Sequence, residues 1–414
     1  MISTRGHGSF FVAWETAAPV VLRVSSGSPS PAPPPQPART KSASTWTAHP
    51  DPTGDHVRAP NAGQEASSRL APVSDARALV DEIARGGLAE LHTHLGGSVD
   101  PAVMWTLAHE QGISLPVKDY WDFVELVTVD PRGVEGLPEL DQIYKWTELI
   151  QSSPLAVERS VHHAIGGAYR TQNITTLELR FNPMKRNRGG ERDLDHIIMA
   201  AVRGLDRAGL EYPRVRAGLI LMMDRTFTRA QNEVIVEKAI RYRERGIVGL
   251  DIAGPRPNGG RYPYRELAPL VETARAAGLG ITIHVGEEGG TDGIAEIGEV
   301  VEHLRPERIG HGILAAQDEE TMVLLKDAGV VLEICPTSNL LTHALANEEA
   351  LRDTVATFVD RGVAFTIATD GPEMMRTHLR DELQLLIELG VLGADALQSV
   401  NARGHEAAFV NRTI

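Results

Sequence analysis

The chain has 414 residues, and its 41 Lys and Arg against 55 Asp and Glu give a formal net charge of −14 at pH 7. This balance argues against binding of nucleic acid phosphates, which positive charge drives. The single cysteine, Cys335, excludes an intramolecular disulfide and a cysteine-rich metal site, and it favours a cytoplasmic protein. No apolar stretch approaches the roughly 20 residues that span a bilayer, so no membrane partner is expected.

The first 70 residues differ in composition from the rest of the chain. Residues 25–44 are rich in Pro and Ser and continue into another polar stretch. Such a sequence buries too little apolar surface to offset the entropy of ordering it. We predict a disordered tail over 1–70 and one folded domain over 71–414. A Pro-rich partner-binding segment and a misassigned translation start are the alternatives for the tail.

Short runs of Val, Ile and Leu alternate with helical patterns beyond the tail. Runs of this kind suit strands that are buried on both faces. The predicted strands are 88–92, 174–181, 215–223, 247–253, 280–285, 308–312, 330–335 and 363–369. Apolar residues three and four apart, followed by Gly, predict helices over 232–246, 265–278 and 379–390.

Eight strands alternating with helices predict a single (β/α)₈ barrel of the TIM type. The rival is a doubly wound open sheet, which would favour a Gly-rich phosphate turn after its first strand. Here the first strand runs into HTHLGGS instead. The long connection between the first two strands predicts a helical insertion. Its aromatic residues are predicted to form the insertion's core, and some are candidates for an apolar pocket wall: Trp105, Trp121, Phe123 and Trp146.

Polar residues follow the predicted strands at their carboxyl ends. In a barrel these ends meet on one face, although the residues are far apart along the chain. They are His92 and His94 after the first strand, His284 and Glu287 after the fifth, His311 after the sixth and Asp370 after the eighth.

Three of these histidines and the aspartate predict a metal site. His92 and His94 are two residues apart, which on a strand puts both imidazoles on one side. That pair alone is better explained by strand-end histidines bonded to backbone. Adding His284 and Asp370 gives a set of nitrogen and oxygen donors that suits a divalent ion. The fourth strand offers Asp251 but no bridging lysine, so one metal ion is favoured.

Glu287 and His311 are candidates for proton transfer. A desolvated carboxyl beside a metal site can stay protonated and act as a general acid. A neighbouring imidazole can act as a base toward a water molecule whose pKa a metal ion lowers. Without the metal-binding set, a structural role would be the better interpretation of Glu287 and of His311.

The sequence resembles the adenosine deaminase family of the amidohydrolase superfamily. Seven separated motifs carry the resemblance and occur in family order from about residue 88 to the C-terminus. They are ELHTHLGGS, LDIAG, IHVGEEG, RIGHGI, EICPTSN, TDGP and NARGHEAAF.

The resemblance implies a zinc ion, one per chain, bound by His92, His94, His284 and Asp370. Asp370 is also implied to contact the attacking water. Iron in place of zinc stays open, because the ligand set does not by itself select the metal.

The resemblance also implies hydrolytic deamination at C6 of a 6-aminopurine nucleoside. Glu287 matches the proton donor to the ring nitrogen next to the reacting carbon, and His311 matches the histidine that orients or deprotonates the water. His94 and Gly254 match residues that contact the substrate. A binding protein that had lost catalysis is disfavoured, because every one of these positions is retained.

Two departures from the family bear on the substrate. Gly96 and Gly371 stand where members that act on adenosine commonly have Asp residues that contact the ribose and the purine ring. A basic segment, 182–192, follows the second strand and includes Lys185 and Arg186. These features leave open a modified or anionic adenine nucleoside or nucleotide, or another amino-substituted ring, as the substrate. The oligomeric state is left open too.

Overall fold

The computed structural model describes residues 76–187, 193–256 and 261–412. Within these ranges eight parallel strands form one sheet in the order β1 to β8. They are β1 (Leu88–His94), β2 (Ile174–Phe181), β3 (Arg216–Asp224), β4 (Ile247–Ala253), β5 (Gly280–Val285), β6 (Arg308–His311), β7 (Val331–Ile334) and β8 (Phe365–Ile367). The predicted barrel is confirmed. Both ends of each predicted strand lie within two residues of the ends of an observed strand. The tail predicted over 1–70 lies outside the described residues.

The sheet closes on itself at the carboxyl ends of β1 and β8. Thr93 and Asp370 form a parallel bridge there. The His94 N–H donates to the Asp370 carbonyl at 2.7 Å, and the Asp370 N–H donates to the His92 carbonyl at 2.9 Å. Barrel closure therefore brings the first and last strands together at the end where a barrel carries its active site.

Helices surround the barrel, and the described residues contain fifteen α-helices. They are α1 (Ala76–Arg85), α2 (Pro101–Glu110), α3 (Tyr120–Val127), α4 (Leu137–Ile150), α5 (Pro154–Gln172), α6 (Leu194–Glu211), α7 (Arg229–Arg241), α8 (Ala268–Ala276), α9 (Gly290–Leu304), α10 (Glu319–Asp327), α11 (Pro336–Leu341), α12 (Glu348–Arg361), α13 (Pro372–Met375), α14 (Leu379–Glu388) and α15 (Ala394–Ala407). None of the described helices is long and apolar enough to cross a membrane.

The predicted insertion consists of α2 to α5, between β1 and β2. Side-chain caps set the starts of three of these helices. Asp100 accepts from the Ala102 N–H, Asp119 from the Trp121 N–H and Ser153 from the Ala156 N–H. Each cap satisfies a backbone donor that the first turn of a helix leaves free.

A small apolar cluster fixes α4 over the barrel mouth. It consists of buried residues before and within α4 and on α13: Val129, Val134, Leu140, Met374 and Met375. Tyr144 packs against this cluster from α4. The chain after β8 thus supports the insertion that follows β1.

Candidate active site

The four side chains predicted to bind metal converge at the carboxyl end of the barrel. The His94 Nε2 atom lies 3.1 Å from His284 Nε2 and 3.2 Å from Asp370 Oδ1. His92 Nε2 lies 3.7 Å from the same Asp370 oxygen. Strands β1, β5 and β8 supply these groups, so the barrel unites residues that the sequence separates widely.

The histidine nitrogens that face this centre fit a divalent transition ion. His92 Nε2 is buried and has no hydrogen-bond partner among the described residues, while its Nδ1 atom is 2.7 Å from Glu333 Oε2. His284 Nδ1 is likewise 2.9 Å from Asp251 Oδ2. A carboxylate on one ring nitrogen orients the lone pair of the other, which is the usual arrangement around metal-binding histidines. Imidazole nitrogens with one carboxylate oxygen suit zinc.

Buried ion pairs beneath the centre hold the two orienting carboxylates. Arg180 donates to Asp251 and to Glu333, each at 2.9 Å, and Arg308 donates to Glu333 at 2.6 Å. Burial opposes ionisation of Glu333, but the two guanidinium groups hold its pKa well below the usual range. Sequence reasoning missed Arg180, Arg308 and Glu333. Their signal is a charged residue within an otherwise apolar strand, which burial permits only when the charge is paired.

Two site residues have a left-handed backbone. His311 has φ 61° and Asp370 has φ 64°, a region that residues other than glycine rarely adopt. Helix α11 supports both side chains. Ser338 Oγ donates to Asp370 Oδ2 at 2.6 Å, and Asn339 Nδ2 lies 3.0 Å from His311 Nδ1. Such backbone conformations are common at functional sites, where surrounding contacts maintain them.

Glu287 and His311 form a second pair beside the metal-binding set. Glu287 Oε2 lies 3.6 Å from His311 Nε2, and the Thr342 hydroxyl lies 3.5 Å from Glu287 Oε1. Burial, reinforced by the negative charge of Asp370, raises the pKa of Glu287 to about 8. Burial and the nearby His92 lower the pKa of His311 well below its usual value. At neutral pH this arrangement offers a protonated carboxyl and a neutral imidazole.

A pocket with a volume of about 100 Å³ opens above these groups. His94, His284, Glu287, His311 and Asp370 all line it. Its apolar wall is formed by Leu137, Leu140, Met222, Ala253 and Pro255.

The insertion contributes to this wall through α4, and not through the aromatic residues that the sequence suggested. Leu140 and Tyr144 of α4 line the pocket. Phe123 is buried in the core as predicted. Trp121 is 73% exposed, so its prediction as a core residue was wrong. Its side chain lies on the outer face of α3, which the local sequence does not distinguish from the inner one.

Gly254 lies in the pocket wall directly after β4. It has φ 91°, and a Cβ atom there would lie 2.8 Å from the Asp224 carboxylate. Only glycine meets both conditions, because it tolerates a positive φ and carries no side chain. The wall at Gly254 is therefore bare backbone.

The model of the family described as "Adenosine deaminase" matches residues 87–413. The chain belongs to the adenosine deaminase family. It is therefore an aminohydrolase, and family membership supports hydrolytic deamination of an adenine-type compound. The predicted family and enzyme class are confirmed.

Curated and solved relatives agree with this assignment. An adenosine deaminase of Vibrio vulnificus is 32% identical over 302 residues, which is 72% of this chain and 87% of the relative. An amidohydrolase structure from Burkholderia ambifaria with bound Zn has a TM-score of 0.71 at 21% identity, covering 84% of this chain and 91% of the other. The N6-methyl-AMP deaminase of Arabidopsis thaliana has a TM-score of 0.66 at 24% identity, covering 80% and 94%. At these identities the two structures support the shared fold alone.

The two glycines that depart from the family's common pattern meet at one side chain. A Cβ atom on Gly96 would lie 2.9 Å from Tyr144 Cδ1, and one on Gly371 would lie 3.4 Å from the Tyr144 hydroxyl. Tyr144 therefore occupies the space beside both glycines. Sequence reasoning missed this residue, because its position depends on how α4 packs over the barrel.

Among its described residues, the basic segment brings one cation to the pocket wall. Lys185 lines the pocket, but its ammonium lies 2.7 Å from Asp224 Oδ2 and 3.9 Å from Asp141 Oδ1. Glu148 lines the same wall. Arg186 is buried and is absent from the pocket lining that the described residues form. The remaining arginines of the segment, at 188 and 192, lie outside the described residues.

Proposed function

We propose that this protein is a zinc-dependent deaminase that converts an uncharged 6-aminopurine nucleoside, of the adenosine or deoxyadenosine type, to its 6-oxo product and ammonia. One observation carries the proposal. A buried carboxyl, Glu287, and an imidazole, His311, face the same pocket as His94, His284 and Asp370. His92 completes the set, with its Nε2 atom 3.7 Å from Asp370 Oδ1. General acid, general base and metal-binding groups are what hydrolysis of an aromatic amine needs.

The protein's own groups have distinct parts in this reaction. His92, His94, His284 and Asp370 would hold the ion, which supplies Lewis acidity and lowers the pKa of water when it is bound. Carboxylates at Glu333 and Asp251 keep the lone pairs of His92 and His284 directed inward.

Proton transfers follow from the positions of His311 and Glu287. His311 is neutral and accepts a proton as water adds to the amino-bearing carbon. The protonated Glu287 donates its proton to the adjacent ring nitrogen, which relieves the charge that addition builds up in the ring. When the carbon–nitrogen bond breaks, the amino group takes the proton held by His311 and leaves as ammonia. The hydroxyl proton returns to Glu287, the ring nitrogen keeps the proton it received, and the carbon keeps the oxygen as a carbonyl.

The charges around the pocket favour a substrate without a phosphate group. Lys185 is already paired with Asp224, and Asp141 and Glu148 add negative charge to the same wall. The guanidinium of Arg225 donates to the Tyr264 hydroxyl and to the carbonyls of Gly254 and His284. A phosphate would have to displace these contacts before it could bind either cation.

The experiment is ammonia release by zinc-loaded protein from adenosine, deoxyadenosine, AMP and adenine. Adenosine or deoxyadenosine should be turned over at least 10-fold faster than AMP. Glu287→Gln should lower kcat by about 10²- to 10⁴-fold, the usual contribution of a general acid. Glu288→Gln is the matched control, because it removes the neighbouring carboxylate. Preference for AMP would overturn the choice of an uncharged substrate, and full activity of Glu287→Gln would overturn the assigned mechanism.

The metal is tested separately by chelation and reconstitution. Dialysis against a chelator should abolish activity, and one equivalent of zinc per chain should restore it. Metal content and activity after refilling with ferrous iron decide between the two ions. Activity that survives complete removal of metal would contradict the proposed site.

A further inference from the structure

Tyr144 carries a buried polar atom that the fold leaves unpaired. Its hydroxyl has no hydrogen-bond partner among the described residues, and the residue lines the active-site pocket. A buried hydroxyl without a partner is costly and uncommon, so each case requires a reason. A position in a ligand pocket supplies one, because a bound ligand can complete the hydrogen bond.

The hydroxyl lies on the side of the pocket where β1 and β8 meet. It is next to Gly371, and the Tyr144 ring centre lies 5.8 Å from that of His94. Glu287 follows β5, which is four strands from β1 in the barrel order. In an eight-stranded barrel β1 and β5 lie on opposite sides, so the two groups approach the mouth from different directions. A flat ring bound between them would meet Glu287 at one edge and Tyr144 at the other.

The phenol carries its proton at neutral pH, so it can donate a hydrogen bond. An aminopurine has a ring nitrogen acceptor on each side of its amino-bearing carbon, namely N1 and N7. Glu287 can serve only one of them.

On the basis of the proposed function, we propose that the Tyr144 hydroxyl donates a hydrogen bond to N7 of the aminopurine while Glu287 serves N1. Tyr144 is then a substrate-binding residue. It supplies from α4 a ring contact that neither Gly96 nor Gly371 can make. The accepted substrates are restricted to rings with an acceptor at that position.

The test compares adenosine with 7-deazaadenosine, which has carbon in place of N7, in the wild type and in Tyr144→Phe. The wild type should deaminate 7-deazaadenosine with a kcat/KM lower by about 10- to 100-fold, the cost of leaving a buried donor unpaired. Tyr144→Phe should lose a similar factor on adenosine, mainly through a higher KM, and almost nothing on 7-deazaadenosine. The preference between the two nucleosides should then disappear. If the preference is the same in both proteins, the inference is wrong.

Stability measurements separate this role from a structural one. Tyr144→Phe removes an unpaired polar atom and keeps the ring, so its melting temperature should equal or exceed that of the wild type. Tyr169→Phe, on α5 and outside the pocket lining, is the matched control and should leave kinetics unchanged. A large loss of stability in Tyr144→Phe would show that the hydroxyl is structural.

Binding measurements distinguish failure of this inference from failure of the proposed function. Purine riboside and its 7-deaza analogue lack the amino group, and calorimetric titration reports their binding without turnover. If no nucleoside is deaminated but purine riboside binds with an N7 preference that Tyr144→Phe abolishes, the proposed reaction is wrong and the contact is right. If the wild type deaminates adenosine but shows no N7 preference, only the contact is wrong. If neither riboside binds, both proposals fail.

Discussion

The backbone N–H of Asp370 donates to the carbonyl of His92 at 2.9 Å, and their side chains then meet with Asp370 Oδ1 3.7 Å from His92 Nε2. The same two residues thus join the first and last strands of the barrel and contribute side chains to the candidate metal site. Closure needs the left-handed backbone of Asp370, so fold and site depend on the same conformation.

Substitutions at Asp370 should separate these two contributions. Asn tolerates the left-handed region, so Asp370→Asn should keep the free energy of unfolding within about 0.5 kcal/mol while zinc content and kcat/KM fall by more than about 100-fold. Asp370→Ala should lose activity equally and also lose about 1 kcal/mol of stability. Thermal unfolding and metal analysis check both, with exposed Asp360→Asn as the control. Zinc retention by Asp370→Asn would contradict the ligand assignment.

Glu333 should be required for metal affinity although it lies outside the metal-binding set. Glu333→Gln leaves Arg180 and Arg308 without their shared carboxylate and frees His92 Nδ1 from its partner. We expect zinc affinity to fall by about 10- to 100-fold, measured by competition with a chelator. Removal of one partner of a buried ion pair should also lower the free energy of unfolding by about 3–5 kcal/mol.

Glu178→Gln is the matched control for that experiment. Glu178 is buried and accepts from Arg308 at 2.6 Å, but it has no contact with His92 among the described residues. It should cost stability in the same way and leave zinc affinity unchanged. Equal loss of zinc affinity in both variants would mean that the arginine network, and not the His92 contact, governs the metal.

The sequence predicts the barrel and the convergent site residues for a single physical reason. Buried parallel strands are apolar throughout, so polar groups at their carboxyl ends stand out and the barrel topology brings them together. This reasoning located His284 and Asp370 beside His94, at distances of 3.1 and 3.2 Å. It also located Glu287 beside His311.

The side-chain positions that the sequence could not predict depend on packing between elements that are distant along the chain. Tyr144 lies on a helix whose inner face is set by contact with α13, beyond β8. The pairing of Lys185 with Asp224 required the positions of two different strand ends. From the sequence, the basic segment left an anionic substrate open beside a solvated loop. In the structure, Lys185 of that segment is paired with a carboxylate.

Packing between Gly96 and Tyr144 should be measurable as a coupling. Gly96→Ala places a Cβ atom 2.9 Å from the Tyr144 ring and should lower the free energy of unfolding by about 1–3 kcal/mol through overpacking. In a Tyr144→Ala background the same substitution should cost at least 1 kcal/mol less, roughly the coupling expected of residues in contact. Denaturant unfolding of the wild type, the two single variants and the double variant gives this coupling energy.

Gly167→Ala provides the comparison for that cycle. Gly167 lies within α5, and a Cβ atom there would meet open space. It should raise the free energy of unfolding by about 0.5–1 kcal/mol, because Ala loses less backbone entropy than Gly in a helix. Strictly additive effects at positions 96 and 144 would show that Tyr144 moves aside without cost.

Glu382 should make the fold less stable as the pH rises toward neutrality. It is fully buried on α14 and accepts from the Thr337 N–H at 3.0 Å and the Thr377 hydroxyl at 2.9 Å. Burial raises the pKa of Glu382 from 4.5 to about 7. Between those two values the folded protein holds a proton that the unfolded chain has released. The free energy of unfolding therefore falls as the pH rises through this window, by up to roughly 3 kcal/mol, and the loss is complete above about pH 7.

Glu382→Gln should remove this part of the pH dependence, because an amide does not ionise. Relative to the wild type, the variant should gain roughly 3 kcal/mol of stability between pH 4.5 and pH 8. Glu388→Gln, at an exposed position on the same helix, should follow the wild-type profile. Urea unfolding at a series of pH values measures all three curves. A wild-type profile that runs parallel to that of Glu382→Gln would mean that the Thr337 and Thr377 contacts stabilise the ionised carboxylate enough to cancel its burial.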